Sequence, residues 1–281
     1  MRLLVFGFGY VGEALARHLQ AKGWSVSATI RDQKDAGRLK ALAVEPALLS
    51  DKNALAGAVG EAQAILVTAP PGPEGCPGLA ALVPAIAQSG AFPDWIGYLS
   101  TTGVYGDREG GWVDEESVLT ARSVEGGRRV GAERDWLEVG RGMGLTVTVF
   151  RLPGIYGPGR SPLDRVADPA TRRVVKPGHV FSRIHVDDIA SGLAASIERP
   201  RAGGIYNLVD DEPAPGDLVL EHAAAMLGVP PPPVAKSISA AQERFYAESK
   251  RVSNARAKAE LGWRPLYPSY REGLAAIAAA G

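Results

Sequence analysis

Short apolar runs alternate with amphipathic stretches along the first half of the chain. The runs have the length of buried strands, and the stretches between them have the periodicity of helices that cover a sheet. This alternation predicts an α/β fold in which right-handed crossovers build a doubly wound parallel sheet. Strands are predicted at Leu3–Phe6, Ser25–Ile30, Ala47–Leu49, Ala64–Ala69, Trp95–Ser100 and Leu145–Arg151, and helices notably at Val11–Ala21, Leu79–Gln88 and Gly126–Val139.

Three glycines stand where the first predicted strand meets the first helix. Gly7 would allow a sharp turn, Gly9 would let a pyrophosphate approach the backbone, and Gly12 would let the helix pack closely on the sheet. The alternative is a glycine-rich turn in an ordinary strand-helix unit. Because a second strand follows the helix, we favour a dinucleotide-binding Rossmann fold, with the phosphates at the helix N-terminus. The residues between the glycines, Phe8, Tyr10 and Val11, are included in this predicted cofactor site.

The end of the second predicted strand bears on which dinucleotide is bound. Arg31 is a fixed cation where the 2′-phosphate of NADP would lie, and the position that holds a ribose-binding acid in NAD enzymes is Ile30. The sequence therefore favours NADP. NAD stays open, because Asp32 could serve as a displaced ribose ligand and Arg31 could be only a solvated charge. Three further residues at strand ends complete the predicted cofactor site: Asp51, Ala69 and Pro70.

Composition narrows the class of protein. The chain has 281 residues, of which 46% are hydrophobic, so it can bury a large core. Its 31 Lys and Arg residues balance 31 Asp and Glu residues, which gives no net charge to attract nucleic acid or an anionic membrane. The single Cys76 excludes an internal disulfide framework and a thiolate zinc cluster. We expect a cytoplasmic monomer or homodimer that acts on a small molecule, with no metal site and no nucleic-acid or membrane partner.

The pattern changes at about residue 159. Gly159–Val180 is rich in Arg, Pro and Asp without clear periodicity, a helix is predicted from Asp188, and the chain after Asn207 is mostly helical, at Leu218–Leu227 and Ala255–Leu261. We predict a nucleotide-binding domain over residues 1–158, to which 180–207 return. Residues 159–179 and 208–281 would form a smaller, mostly helical lobe for substrate. The alternative is a structural extension that covers the sheet edge.

Several motifs together carry a family resemblance. They are Tyr98–Asp107, which contains Ser-Thr-Thr-Gly-Val-Tyr-Gly, then Arg151–Gly159, Arg183–Asp188 and Leu261–Pro265. With the glycine motif, they resemble the extended short-chain dehydrogenases/reductases, and in particular the atypical members described as NAD(P)-dependent epimerases or dehydratases. The resemblance covers nearly the whole chain. It implies that Thr101, with Ser100 and Thr102 beside it, bonds the reacting oxygen, and that Asp51 contacts adenine. These hydroxyls and Asp51 could instead only satisfy backbone groups.

The family also uses a tyrosine as proton donor and a lysine four residues later. Aligned on Gly126, these positions are Glu125 and Arg129 here, and we expect the two to form an ion pair along one helix face. An ionised carboxylate cannot donate a proton at neutral pH. Tyr105 and Tyr156 are alternative donors, although such tyrosines usually pack their rings. His185 is interpreted as a structural histidine.

Two functions remain open from the sequence. The first is an oxidoreductase or epimerase/dehydratase-like enzyme that passes a hydride between NADP and a small hydroxyl or carbonyl compound, for which a nucleotide sugar is one candidate. The second is a nucleotide-sensing protein that kept the cofactor site and lost the chemistry. Thr101 and the predicted lobe favour the enzyme, whereas Glu125 and Arg129 favour the sensor.

Overall fold

The computed structural model describes residues 1–239, 243 and 246–280. Its strands are β1 (Arg2–Phe6), β2 (Ser25–Ile30), β3 (Val44–Leu48), β4 (Ala64–Val67), β5 (Trp95–Thr101), β6 (Trp112–Val113), β7 (Val147–Leu152), β8 (Gly154–Tyr156), β9 (Arg183–His185), β10 (Gly204–Asn207) and β11 (Arg251–Val252). The helices are α1 (Tyr10–Gln20), α2 (Ala36–Ala41), α3 (Lys52–Gly60), α4 (Pro77–Ser89), α5 (Val124–Met143), α6 (Pro162–Ala167), α7 (Val186–Glu198), α8 (Gly216–Met226), α9 (Ala255–Leu261) and α10 (Tyr270–Ala280).

Seven strands form one parallel sheet in the order β3-β2-β1-β4-β5-β7-β10. From β1 the chain adds β2 and β3 on one side, and it then returns to add β4, β5, β7 and β10 on the other side. The strand order therefore reverses between β1 and β4. A ligand crevice is expected at this reversal, outside the carboxyl ends of the strands. The predicted doubly wound Rossmann fold is confirmed.

Each face of the sheet buries its own apolar layer. Leu3, Val5 and Leu66 belong to the layer under α1 and α7, whereas Leu4, Ile65 and Val67 belong to the layer that includes residues of α3, α4 and α5. Neighbouring residues of one strand therefore point to opposite layers, as the strand period of two requires. Because both faces are covered, the central strands β1 and β4 are apolar along nearly all of their length, which explains why they stand out in the sequence.

Predicted element boundaries differ from the structure where capping decides them. Helix α5 was predicted from Gly126 to Val139 but runs from Val124 to Met143. Its start is fixed by Ser123, whose Oγ accepts a hydrogen bond of 3.0 Å from the Gly126 amide, and its end by Gly144 at φ +67°. Strand β3 begins at Val44 rather than at Ala47, because it pairs with β2 from Val26 onward.

The predicted lobe contains a small apolar cluster of its own. Leu163 of α6, Val219 of α8 and Leu274 of α10 pack together with Tyr156 of β8. Two short parallel pairs, β8 with β9 and β6 with β11, lie outside the main sheet. Within the described ranges, no helix is long and apolar enough to cross a membrane. The domain limits stay a prediction.

Candidate functional site

The glycine loop after β1 has the backbone that a close-approaching ligand requires. Gly7 adopts φ +89°, and a Cβ there would lie 2.9 Å from the hydroxyl oxygen of Thr68, so a side chain is excluded on two grounds. A Cβ on Gly12 would lie 2.9 Å from Val5, which shows how closely α1 packs on β1. A Cβ on Gly9 would meet nothing within 4 Å. The space in front of Gly9 is therefore open, and no side chain caps α1 there.

A cavity of about 660 Å³ opens beside this loop, within the size range of small-molecule sites. Two arginines, Arg31 and Arg38, line this cavity together with the carboxylate of Asp35. Arg38 pairs with Glu13 at 2.8 Å and lies 5.8 Å from the ring centre of Phe8. Arg31 is exposed and has no hydrogen bond or ion pair within the described part of the chain. We call this space the cofactor cavity; its lining residues from the predicted site are Gly7, Phe8, Gly9, Arg31, Ala69 and Pro70.

The predicted cofactor residue Asp51 and the alternative ribose ligand Asp32 both have local backbone roles. Asp32 accepts a hydrogen bond of 3.0 Å from the Lys34 amide and pairs with the Lys34 ammonium at 2.9 Å, so it caps a short 3₁₀ turn. It does not line the cofactor cavity. Asp51 accepts hydrogen bonds of 3.0 Å from the amides of Asn53 and Ala54 and caps α3. Asp51 is also absent from the cavity lining, so a contact with adenine stays a prediction.

A second cavity, of about 300 Å³, continues from the first along the strand ends, and we call it the strand-end cavity. Gly9 and Thr68 line both spaces. The predicted residues Tyr10, Val11, Ser100, Thr101 and Arg129 meet here. The two cavities form one crevice across the point where the strand order reverses, as expected for a dinucleotide bound in such a sheet.

The two hydroxyls of the predicted site differ in what they are free to do. The buried Ser100 hydroxyl donates to a carboxylate oxygen of Glu133, so its proton is committed. Thr101 is half-buried, and its oxygen accepts a hydrogen bond of 3.1 Å from the Gly103 amide. The Thr101 hydroxyl proton therefore stays available to an oxygen in the cavity.

The expected ion pair between Glu125 and Arg129 is wrong. Arg129 instead donates to the carbonyl of Leu99, and its guanidinium lies 6.0 Å from the ring centre of Tyr98. The Leu99 residue is buried, and a buried acceptor without a hydrogen-bond partner is costly, whereas the exposed Glu125 carboxylate can be solvated by water. Glu125 forms no ion pair among the described residues and lines none of these cavities.

Neither alternative tyrosine is placed to donate a proton to the crevice. Tyr105 is fully buried, donates to Asn207 at 2.8 Å and accepts from Arg151 at 3.0 Å, and burial raises its pKa to about 12. Tyr156 is buried against His185 and donates to the carbonyl of Ser269 at 3.3 Å; burial raises its pKa as well. Both phenols have structural roles here.

His185 is structural, as interpreted. Its Nδ1 accepts a hydrogen bond of 3.2 Å from the Asp187 amide at the start of α7, and burial lowers its pKa. Asp188 is fully buried and accepts from the amides of Leu266 at 2.6 Å and Tyr267 at 3.2 Å, while its pKa is raised to about 7 by burial. The Ile-His-Val-Asp-Asp motif thus fixes the segment after α9.

A third cavity extends the crevice towards the predicted lobe, and sequence reasoning missed its charged residues. It measures about 310 Å³ and shares Thr101 with the strand-end cavity. We call it the lobe cavity. Lys250 and Glu248 line it and form an ion pair of 2.6 Å, with side chains 11% and 17% exposed. Lys250 and Glu248 lie just before β11, and the pairing of β11 with β6 brings them to the lobe cavity. The sequence did not predict β11 as a strand.

The comparisons with known proteins agree with this geometry. No family model matches the chain. The 3-diazoavenalumate denitrifying reductase of a Streptomyces species is 30% identical over 321 residues, which cover 98% of this chain and 99% of that protein. A functionally unknown conserved protein from Silicibacter pomeroyi superposes with a TM-score of 0.91 at 44% identity, covering 100% of this chain and 99% of the other.

The UDP-glucose 4-epimerase of Thermus thermophilus, solved with NAD, superposes with a TM-score of 0.78 over the full length of both chains. At 21% identity it bears on the fold alone. The chain belongs to the extended short-chain dehydrogenase/reductase family. That Glu125 and Arg129 occupy the positions of the family's tyrosine and lysine stays a prediction from the sequence.

Proposed function

We propose that this protein is an oxidoreductase that binds a nicotinamide dinucleotide, prefers NADP(H), and acts on a small carbonyl or hydroxyl compound. The observation that carries the proposal is the continuous crevice from Arg31 past Gly9 to Thr101. A bound reduced cofactor would supply the hydride. The relative named as a reductase supports a redox cofactor.

The residues present fit such a cofactor. The open space before Gly9 and the uncapped first turn of α1 suit a pyrophosphate, which needs backbone donors and no side chain in its way. Arg31 and Arg38 on the lining of the cavity suit a 2′-phosphate. Asp32 is occupied in capping and does not line the cavity, so it is not placed to hold an NAD ribose, and Asp35 is the carboxylate that lines this cavity among the described residues.

The strand-end cavity can orient and polarise a reacting oxygen. Thr101 offers a hydroxyl proton, and Ser100 beside it is held by Glu133. In the sequence alignment Glu125 takes the position of the family's tyrosine, and the alternative donors Tyr105 and Tyr156 are buried and bonded elsewhere. This last observation favours the second candidate, a sensor that binds NADP(H) without turnover.

Calorimetric titration with NADPH and NADH tests the cofactor assignment. We expect NADPH to bind at least about tenfold more tightly, and Arg31→Gln to remove most of that preference while NADH affinity stays the same. Lys34→Gln, a nearby cation outside the cavity lining, is the matched control. Absence of binding by either nucleotide would contradict the proposal, and equal affinities would contradict only the role of Arg31.

Turnover is tested by following NADPH oxidation with aldehydes, ketones, nucleotide sugars and an aryl diazo compound, the last because the reductase relative is named for one. Oxidation coupled to a reduced product supports the enzyme. NADPH binding at micromolar concentration without turnover across the whole panel would instead support the sensor.

A further inference from the structure

The predicted replacement of the family's tyrosine by Glu125 leaves the reacting oxygen without that proton donor, and the lobe cavity contains an alternative. We propose that Lys250 donates the proton to the oxygen that Thr101 holds. This inference rests on the proposed oxidoreductase function. It assigns to a lysine near the end of the chain the role that the family gives to a tyrosine on α5.

Elimination among the groups around the crevice leads to this lysine. Tyr10 is the one phenol that lines any of the three cavities in the described part of the chain, and its hydroxyl donates to the Pro158 carbonyl at 3.1 Å. Arginine is too weak an acid to release a proton. The Ser100 hydroxyl is bonded to Glu133. Lys250 is the one lysine on these described walls, and an ammonium carries three protons to donate.

The segment that carries Lys250 is held firmly in place. The Ser249 amide donates to Asp107 at 2.8 Å, and the Ser249 hydroxyl accepts from the Val180 amide at 3.1 Å. On the other side, the Val252 amide donates to Ser182 at 3.1 Å. Hydrogen bonds on both sides therefore position Lys250 on the wall of a cavity that also includes Thr101.

The chemistry of the donor matches the step. In water an alkylammonium and a phenol are acids of similar strength, so a lysine can replace a tyrosine as general acid. Glu248 holds the ammonium in place through an ion pair of 2.6 Å. As the hydride reaches the carbonyl carbon, the electron pair of the C=O π bond moves to oxygen, which takes a proton from Nζ. The carbonyl is reduced to an alcohol, the cofactor is oxidised, and the neutral amine regains a proton from solvent.

Variants of Lys250 separate acid catalysis from a structural role. With the carbonyl compound that turns over fastest, Lys250→Met should lower kcat by about a hundredfold or more, as losing a general acid does. Lys250→Arg keeps the charge and the pair with Glu248 but cannot release its proton, so it should be impaired as well. Lys258→Met, which breaks a comparable pair with Asp211 outside the crevice, is the matched control. NADPH affinity and melting temperature verify that each variant is folded.

The pH profile gives a signature that a structural role would not produce. The rate should fall at high pH as the ammonium loses its proton, and this fall should be absent in Lys250→Met. Independently of turnover, the ¹⁵N resonance of the Lys250 ammonium, identified by its loss in Lys250→Met, should shift when the carbonyl compound is added without cofactor.

The outcomes separate failure of the Lys250 role from failure of the oxidoreductase function. If the unchanged chain oxidises NADPH with none of the compounds, the oxidoreductase proposal fails, and the role of Lys250 fails with it. If the unchanged chain is active and Lys250→Met or Lys250→Arg retains that activity with the same pH profile, only the role of Lys250 is rejected. An ammonium resonance unaffected by the compound would also reject it.

Discussion

Glu133 of α5 and Arg151 of β7 form an ion pair of 2.8 Å in which the two side chains are only 4% and 3% exposed. The pair is part of a larger buried network. Ser100 donates to Glu133, and Arg151 donates to the Tyr105 hydroxyl at 3.0 Å. Because Ser100 and Arg151 are partners in the β5–β7 register, the network joins a helix and two strands at the residue that precedes Thr101.

Removing one member of this pair should be costly. Glu133→Ala leaves the Arg151 charge buried without its partner, and we expect it to lower the free energy of unfolding by about 3–5 kcal/mol. Chemical denaturation measures the loss. The control is Glu198→Gln, which breaks an exposed pair of 3.0 Å with Lys22 and should leave stability nearly unchanged. Equal effects of the two substitutions would show that the buried network contributes little.

The three glycines of the first loop should respond differently to the same substitution. Gly9→Val places its side chain in open space, so the chain should fold normally but lose dinucleotide binding, because the side chain occupies the space a pyrophosphate needs. Gly12→Val instead forces α1 away from Val5 and should lower stability by about 1–3 kcal/mol. Circular dichroism, thermal unfolding and NADPH titration separate the two effects. Retained affinity in a folded Gly9→Val variant would contradict the placement of the phosphates.

The glycine loop could be predicted from the sequence because its determinants are local. Gly7, Gly9 and Gly12 lie within six consecutive residues, and each is needed for a property of its own backbone or its immediate packing. The sheet was predictable for a similar reason. The central strands β1 and β4, covered on both faces, are nearly continuous apolar runs, and such runs can be recognised without knowledge of their partners.

Pairing between distant segments could not be predicted from the sequence. Arg129 was expected to pair with Glu125 on its own helix, but the folded chain offers it the Leu99 carbonyl at the end of β5. Lys250 reaches the crevice only because its segment pairs with β6. Tyr105 resembles a candidate donor in its motif, yet its burial depends on Asn207 and Arg151, which come much later in the chain.

Asp210 should make stability depend on pH. Burial raises the pKa of this carboxyl to about 8, although the charge of Arg183 and the nearby backbone amides of Arg183 and Glu212 act in the opposite direction. The folded protein therefore binds a proton that the unfolded chain releases near pH 4, and the stability conferred by the protonated group is lost as pH rises towards 8.

Comparison with Asp210→Asn isolates this effect, since the raised pKa of Asp188 contributes equally to both proteins. From pH 5 to pH 8 the variant should gain at least about 1 kcal/mol of unfolding free energy relative to the unchanged chain, because a shift of one pKa unit corresponds to about 1.4 kcal/mol. Urea denaturation at the two pH values measures the difference. A difference that does not change with pH would mean that the Asp210 carboxyl is solvated in the folded protein.

Thr101 lines both the strand-end cavity and the lobe cavity. Its hydroxyl proton is uncommitted, so Thr101→Val should lower kcat by about 10²–10³, the loss expected for one positioned donor to a developing oxyanion. NADPH affinity should barely change. Thr148→Val, which removes a hydroxyl bonded to the Arg201 carbonyl at 3.1 Å on the outer part of the sheet, should lower stability without affecting kcat.

Glu125→Gln should also leave kcat nearly unchanged, because the exposed carboxylate lines neither cavity. A nearly inactive Glu125→Gln variant together with an active Thr101→Val variant would show that Glu125, at the start of α5, is the catalytic residue in place of Thr101.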